Sequence, residues 1–154
     1  CAARCADILT SNGAVLPWVN ELKYLGIFIV QSRKFKCSLE HAKKSCYRVI
    51  NAIFGKIGRI ASEEVTLELV AKKCIPVLMY GLEAIPLTKS DKQSLDFVIN
   101  RLFMKLFKTG DIHTVQQCQE FFGFELPSVR LERRTAKFLS NFSLSNGQCG
   151  DVIS

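Results

Sequence analysis

The chain contains no run of about 18 consecutive apolar residues, so the sequence predicts no membrane-spanning segment. Its seven cysteines form no CxxC pair, and its two histidines, His41 and His113, lie far apart, which leaves no zinc-site spacing. A glycine-rich phosphate loop is also missing, as is any local Ser/His/Asp or Cys/His arrangement. We therefore assign no catalytic residue and no metal site to this sequence.

The first residues, CAARCADILT, lack the hydrophobic core of a signal peptide and an initiator Met. We expect the chain to begin inside a longer protein, although processing or cloning would also remove the initiator Met. Hydrophobic residues make up 48% of the 154 positions, with 11 Phe, which predicts one globular unit with a packed core. Scattered single cysteines in such a core are typical of reduced thiols, and therefore of an intracellular protein, nuclear or cytoplasmic.

The net charge of +7 is concentrated in one segment. Within residues 31–60 a single acid, Glu40, stands against eight cationic residues, and the rest of the chain is balanced. The eight are Arg33, Lys34, Lys36, Lys43, Lys44, Arg48, Lys56 and Arg59. A balanced protein with one basic segment favours a polyanionic partner, although a merely solvated face is the alternative.

The N-terminal part has the pattern of short strands. Residues 6–9 and 14–16 flank Asn12-Gly13, whose positive φ angles predict a tight hairpin turn. Residues 23–30 are almost continuously apolar, which predicts one strand that is buried on both faces.

A helical period begins at Ser38, the predicted N-cap, and continues to Ile60. Its apolar stripe lies opposite a polar stripe made of Lys44, Arg48, Asn51, Gly55 and Arg59. Further helices are predicted from Ser62, with a kink or break at Pro76, and from a capping box at Ser90 and Gln93 to Gly110. The last two are predicted from Asp111 and from Pro127, with Leu131, Phe138 and Phe142 facing inward. The predicted fold is α+β and mostly α: a short hairpin and a strand, followed by a bundle of four to five helices.

Three stretches appear in a familiar order: LPWVNELKYLGIFIV, then SLEHAKKSCYRVINAIFGKIGRI, then CIPVLMYGLEAIPLTKSDKQSLDFVINRLFMKLFKT. Over residues 1–127 this order resembles the C-terminal part of the reverse transcriptase of LINE-type (non-LTR, jockey-like) retrotransposons. The resemblance implies that the chain is a fragment of an RNA-directed DNA polymerase from a transposable element.

The resemblance also implies a division of the chain. Residues 1–34 would be the terminal palm strands, residues 35–145 a helical thumb-like domain and residues 146–154 a flexible tail. Tyr24, Leu25 and Gly26 would lie at the palm–thumb junction. The thumb would grip the duplex of RNA template and DNA primer, and the upstream palm and fingers of the parent polypeptide would be further partners, with no membrane. The residues expected to bind nucleic acid are Lys43, Lys44, Arg48, Asn51, Lys56 and Arg59.

The family's paired-aspartate motif, whose carboxylates hold two Mg²⁺ ions, has no counterpart here. Mg²⁺ is expected for the complete parent enzyme and no cofactor for this chain, which we expect to be inactive alone. Tyr80 to Glu83, YGLE, offers only one carboxylate and is better explained as a bend at Gly81. Tyr24 is expected in the core rather than on a nucleotide, and Gly26 marks either a bulge or a close approach of nucleic acid. The alternative function is a non-enzymatic helical domain, derived from such an element, that binds nucleic acid or protein.

Overall fold

The computed structural model describes residues 6–58 and 60–147. The fold is α+β and mostly α, as predicted, with two antiparallel hairpins ahead of the helical bundle. The strands are β1 (Ile8–Leu9), β2 (Val15–Leu16), β3 (Glu21–Tyr24) and β4 (Ile27–Val30). The helices are α1 (Glu40–Ile57), α2 (Glu63–Leu78), α3 (Lys89–Leu106), α4 (Ile112–Phe121) and α5 (Pro127–Gly147), with a 3₁₀ turn at Leu82–Ala84.

The first hairpin lies where the sequence predicted it. β1 pairs with β2 in antiparallel register, and the Gly13 amide donates to the Thr10 carbonyl at 2.9 Å inside the loop. Only Gly13, with φ of 78°, takes a positive φ in this loop, so the expected contribution of Asn12 was wrong.

The single buried strand predicted at residues 23–30 is wrong, because the segment folds into the hairpin β3–β4. Leu25 and Gly26 form its two-residue loop, and both have positive φ, at 46° and 84°. Two successive positive φ angles are typical of a type I′ turn, which suits the twist of the two strands it joins. β3 is exposed along its whole length, and β4 is half-buried through Ile27 and Ile29, which pack against the helices.

The chain then passes along β4 before α1 begins. Cys37 forms an isolated bridge with Ile29, and the Ser38 amide donates to the Phe28 carbonyl at 2.7 Å. Because Ser38 is held in this bridge, Leu39 occupies the N-cap position of α1 without a side-chain cap, and the prediction of Ser38 as cap was wrong.

α1 and α2 pack as a pair through Cys46 and Ile50 on one helix and Leu67, Val70 and Cys74 on the other. Ser62 caps α2 as predicted, by accepting from the Val65 amide at 3.4 Å. A kink or break was predicted at Pro76, and a break does not occur, because α2 continues through this residue to Leu78. Pro76 lies in the last turn, where it removes only one donor from the helix.

The capping box of α3 was predicted two residues too late. Thr88 is the N-cap, and its hydroxyl accepts from the Asp91 amide at 3.2 Å while the Asp91 carboxylate accepts from the Thr88 amide at 3.0 Å. The hydrogen bond from the Thr88 hydroxyl, 2.7 Å long, is the main cause that lowers the pKa of Asp91. The helix also ends before the predicted Gly110, since Lys108 takes the left-handed conformation with φ of 52°.

We expect Thr88→Ala to lower the free energy of unfolding by about 1 kcal/mol, because the Asp91 amide loses its acceptor and the Asp91 carboxylate loses the hydroxyl that donates to it. Ser90→Ala, at the position that the sequence wrongly identified as the cap, should change it by no more than about 0.5 kcal/mol. Urea denaturation at pH 7 measures both. Equal losses in the two variants would contradict the observed cap.

Asp111 caps α4 and Pro127 begins α5, as predicted. Leu131 is buried, but Phe138 and Phe142 are largely exposed, so their predicted inward orientation was wrong. The bundle stops beside the first half of α5, and the second half extends past it.

α5 includes residues 146 and 147 of the predicted tail, and residues 148–154 lie outside the described part of the chain. Within that described part, no helix has the length and apolarity needed to cross a membrane.

Candidate nucleic-acid interface

One face of α1 is polar, cationic and exposed. Lys44, Arg48 and Asn51 follow at spacings of four and three, so they lie within about 60° of one another around the helix. All three are exposed, as is Gly55 one turn further on, while Cys46 and Ile50 are buried on the opposite side. Within α1 the apolar and polar stripes lie on opposite faces of the helix, as expected. The helix ends at Ile57, however, and Ile60, which was predicted to end the apolar stripe, is 87% exposed.

Neither Lys44 nor Arg48 forms an ion pair within residues 6–58 and 60–147. The Arg48 guanidinium makes only a long hydrogen bond to the Ser45 hydroxyl, at 3.5 Å. Two exposed cations that are not neutralised by the protein are free to contact an anion.

The other predicted cations of α1 are placed differently. Lys43 pairs with Glu40, has only 20% of its side chain exposed and lowers the pKa of that carboxyl through their hydrogen bond. Lys56 is exposed, but it lies about 120° around the helix from Lys44. Arg59 lies outside the described residues. The structure thus brings together Lys44, Arg48 and Asn51 out of the six predicted residues.

A further cation comes from α3, and the sequence gave no local signal for it. The Lys105 ammonium donates to the Asn51 side-chain oxygen at 3.3 Å and lies 4.8 Å from the ring centroid of Phe54. Lys105 is exposed, so its cation–π contact positions the charge beside the α1 face without neutralising it. Only the packing of α3 on α1 creates this contact, because the two residues are 54 positions apart.

A groove of about 560 Å³ runs beside this face, between the β3–β4 hairpin and the helices α1 and α2. Lys23 on β3 and Arg48 on α1 line it together with hydroxyl groups of Ser38, Ser45 and Tyr80. Its apolar lining includes Ile27, Phe28 and Val77. A groove with cations, hydroxyls and an apolar lining can receive an anionic chain that carries flat rings.

The hairpin is held against α1 by His41. The His41 ring stacks on Phe28 with 3.5 Å between ring centroids, and its Nε2 lies 3.4 Å from the Glu21 carboxylate. These contacts fix one wall of the groove to the start of α1. The Lys23 ammonium lies 5.6 Å from the ring centroid of Phe28 on the same wall.

The three residues assigned to the palm–thumb junction form the tip of the β3–β4 hairpin. Tyr24 and Leu25 are 61% and 73% exposed, so the expectation that Tyr24 lies in the core was wrong. Gly26 occupies the left-handed turn position rather than a bulge, and a Cβ there would lie 3.2 Å from the Tyr80 ring. The tip therefore leaves the Tyr24 and Leu25 side chains exposed and places its glycine against Tyr80, just past the end of α2.

The described residues provide no candidate for metal-dependent chemistry. They bring together no group of three or more His, Cys, Asp or Glu side chains that could hold a metal ion. These residues therefore do not fit a site for two Mg²⁺ ions, and we derive no reaction step through magnesium. Gly81 takes φ of 69° and turns the chain from α2 into the 3₁₀ turn, which gives YGLE the structural role expected for it.

Comparisons with protein-family models, curated proteins and solved structures found no match to this chain. Its function is therefore argued from the geometry of the α1 face and the groove, together with the sequence resemblance.

Proposed function

We propose that this chain is the end of the palm and the thumb of an RNA-directed DNA polymerase of a non-LTR retrotransposon. Its role in the parent enzyme is to grip the duplex of RNA template and DNA primer. The parent reaction would add deoxynucleotides to the primer 3′-hydroxyl with Mg²⁺ held elsewhere in the polypeptide. This chain supplies binding and orientation rather than chemistry.

The observation that carries the proposal is the α1 face with its two unneutralised cations. Lys44 and Arg48 lie one helical turn apart, about 6 Å, which suits contacts to phosphates along one strand. Lys105 adds a third charge from α3. Side chains that meet phosphates position a duplex without reading its sequence, which is what a polymerase needs from a thumb.

The two hairpins support the placement at the end of a palm. The first hairpin and the segment that follows it expose large apolar side chains, among them Leu9, Val15, Leu16 and Trp18. Exposed apolar side chains that cluster in a patch usually mark an interface. The upstream palm and fingers of the parent polypeptide are the partners that we propose for it.

The proposal predicts a strong salt dependence of duplex binding. If Lys44, Arg48, Lys105 and Lys23 contact phosphates, log affinity for an RNA–DNA hybrid should fall with log salt at a slope of about −3 to −4. Fluorescence anisotropy with labelled hybrids between 50 and 200 mM salt (roughly the range over which such contacts are screened) measures the slope. Hybrids of unrelated sequence should bind equally well, and heparin is the control for general affinity to polyanions.

A flat salt dependence, or equal binding of heparin and hybrid, would contradict the proposal. The alternative is a non-enzymatic helical domain that binds nucleic acid or protein, and only its protein-binding form predicts no duplex binding at any salt concentration. Primer extension by the purified chain would overturn the assignment of a purely binding role.

A further inference from the structure

α5 carries an apolar face of which only the first half is covered. Leu131 is 1% exposed within the bundle, whereas Phe138 and Phe142 are 38% and 54% exposed. The three residues follow at spacings of seven and four, so they lie within about 40° of one another around the helix. The rings of Phe138 and Phe142 stack on each other, with centroids 6.1 Å apart. The apolar face therefore continues beyond the point where the bundle ends.

A groove of about 390 Å³ leads onto this exposed stripe. It lies between α5 and the segment 82–87, with the buried residues Leu82, Ile85 and Leu131 among its lining. Leu139, which is largely exposed, lines its outer part. Lys92 and Glu132, which form an ion pair at 2.8 Å, also line the groove, so its surface is mainly apolar with one neutralised charge pair.

The side of α5 away from the stripe carries small residues. Ala136, Ser140 and Ser143 lie about 100° to 160° around the helix from Phe138 and Phe142. The hydroxyls of Ser140 and Ser143 donate to the carbonyls of Ala136 and Leu139, each at 2.9 Å. The apolar stripe is therefore confined to one side of the helix, and these hydroxyls on the other side are satisfied within α5.

One flank of the stripe is cationic. Arg134 and Lys137 are exposed, and neither forms an ion pair in the described part of the chain. The neighbouring Arg130 and Arg133 differ, because both pair with Glu125, at 3.3 and 2.9 Å. The positive charge available to a partner is therefore confined to one side of the apolar stripe.

We propose that α5 is a docking surface for an acidic amphipathic helix of a partner protein. The apolar side of that helix covers Phe138, Phe142 and the groove, and its carboxylates meet Arg134 and Lys137. An exposed apolar stripe at helical spacing, with a groove beside it, fits a helical partner. This inference is independent of duplex binding by α1.

Two other occupants fit this surface less well. Membrane-surface helices combine a broad apolar face with a polar face rich in cations, whereas this stripe is narrow and has cations on one flank only. An antiparallel pairing of α5 with a second copy would place the two cationic flanks against each other, and the like charges would repel.

The probe is a synthetic helical peptide of about 20 residues, long enough to hold a helix. It carries leucine along one face and glutamate on one flank of that face. A second peptide, used for comparison, carries lysine at the glutamate positions. We expect the glutamate peptide to bind about 10-fold more tightly than the lysine peptide, measured by fluorescence anisotropy. The variant Arg134→Glu/Lys137→Glu should reverse this preference, and Phe138→Ser/Phe142→Ser should weaken the binding of the glutamate peptide about 10-fold.

All four substituted side chains are exposed, so the thermal midpoints of the variants should stay close to the parent value. Equal binding of the two peptides, or no binding, would overturn the proposal. Two further results would also overturn the proposal, provided that Phe138→Ser/Phe142→Ser removes them. One is a concentration-dependent dimer in sedimentation, and the other is binding to phosphatidylserine vesicles. These results leave the duplex measurements unaffected, so the two proposals fail separately.

Discussion

Replacing both Lys44 and Arg48 by glutamate should weaken the binding of an RNA–DNA hybrid by about 100-fold at moderate salt. Each charged contact to a phosphate contributes about 1.5 kcal/mol or more, and 1.4 kcal/mol corresponds to a factor of ten in affinity. The slope of log affinity against log salt should also become less steep by about 2, because two phosphate contacts are lost. Titrations of the hybrid at several salt concentrations measure both effects.

The matched control is Arg134→Glu/Lys137→Glu on α5, which changes the net charge by the same amount at exposed positions. It should leave the affinity for the hybrid within about threefold of the parent value, since long-range attraction is screened over roughly 10 Å at this ionic strength. Equal losses in both double variants would mean that net charge, rather than the α1 face, determines binding. The variant Lys44→Glu/Arg48→Glu should bind the glutamate peptide with the same affinity as the parent chain.

Gly81→Ala should lower the free energy of unfolding by about 2–4 kcal/mol, because two costs add. Gly81 has φ of 69°, a conformation that residues with a Cβ adopt at a cost of about 1–2 kcal/mol. A Cβ at this position would also lie 2.5 Å from Ile27 Cδ1, so β4 or its side chain must move. Urea denaturation gives the loss, and we expect the β3–β4 hairpin to be displaced from α2.

Gly123→Ala separates these two costs. Gly123 has φ of 58°, but no atom lies within 4 Å of a Cβ built there. Its replacement should cost only the backbone part, about 1–2 kcal/mol. Adding Ile27→Ala to Gly81→Ala should cost less than the sum of the two single changes, since the smaller side chain relieves the contact. Strict additivity would show that Ile27 does not press on position 81.

The helices were predictable because each combines a 3.6-residue apolar period with a start signal. Ser62 and Asp111 act as N-caps as expected, and Pro127 begins α5. The errors concern which of several residues that could cap a helix occupies the N-cap position. Ser38 is a good capping residue, but the bridge between Cys37 and Ile29 holds it elsewhere. Such tertiary contacts are not visible in a local pattern.

The second hairpin was missed because its turn has an unusual sequence. A Leu residue rarely takes positive φ, so Leu25-Gly26 inside an apolar run gives none of the turn signals that Asn-Gly gives. The alternation of Glu21 and Lys23 with Leu22 and Tyr24 did indicate an exposed strand at this position. The prediction was based on the apolar run that follows and took no account of this alternation.

The candidate interface was partly predictable. Its central residues, Lys44, Arg48 and Asn51, share one helix, so their common face follows from helical geometry alone. Lys105 and the groove depend on how α3 and the β3–β4 hairpin pack on α1, which no spacing in the sequence reports. The pairing of Lys43 with Glu40 was visible as an i, i+3 pair but was counted among the available cations.

The cysteines at the α1–α2 contact provide a means of following the separation of these helices. Cys46 and Cys74 are fully buried where the two helices meet, and their hydrogen bond, together with burial, raises the pKa of the Cys46 thiol. An alkylating reagent needs an accessible thiolate, so it can modify Cys46 only in molecules in which α1 has moved away from α2. The rate at which mass spectrometry detects alkylation of the Cys46 peptide therefore measures how often α1 opens, and a bound duplex should slow it.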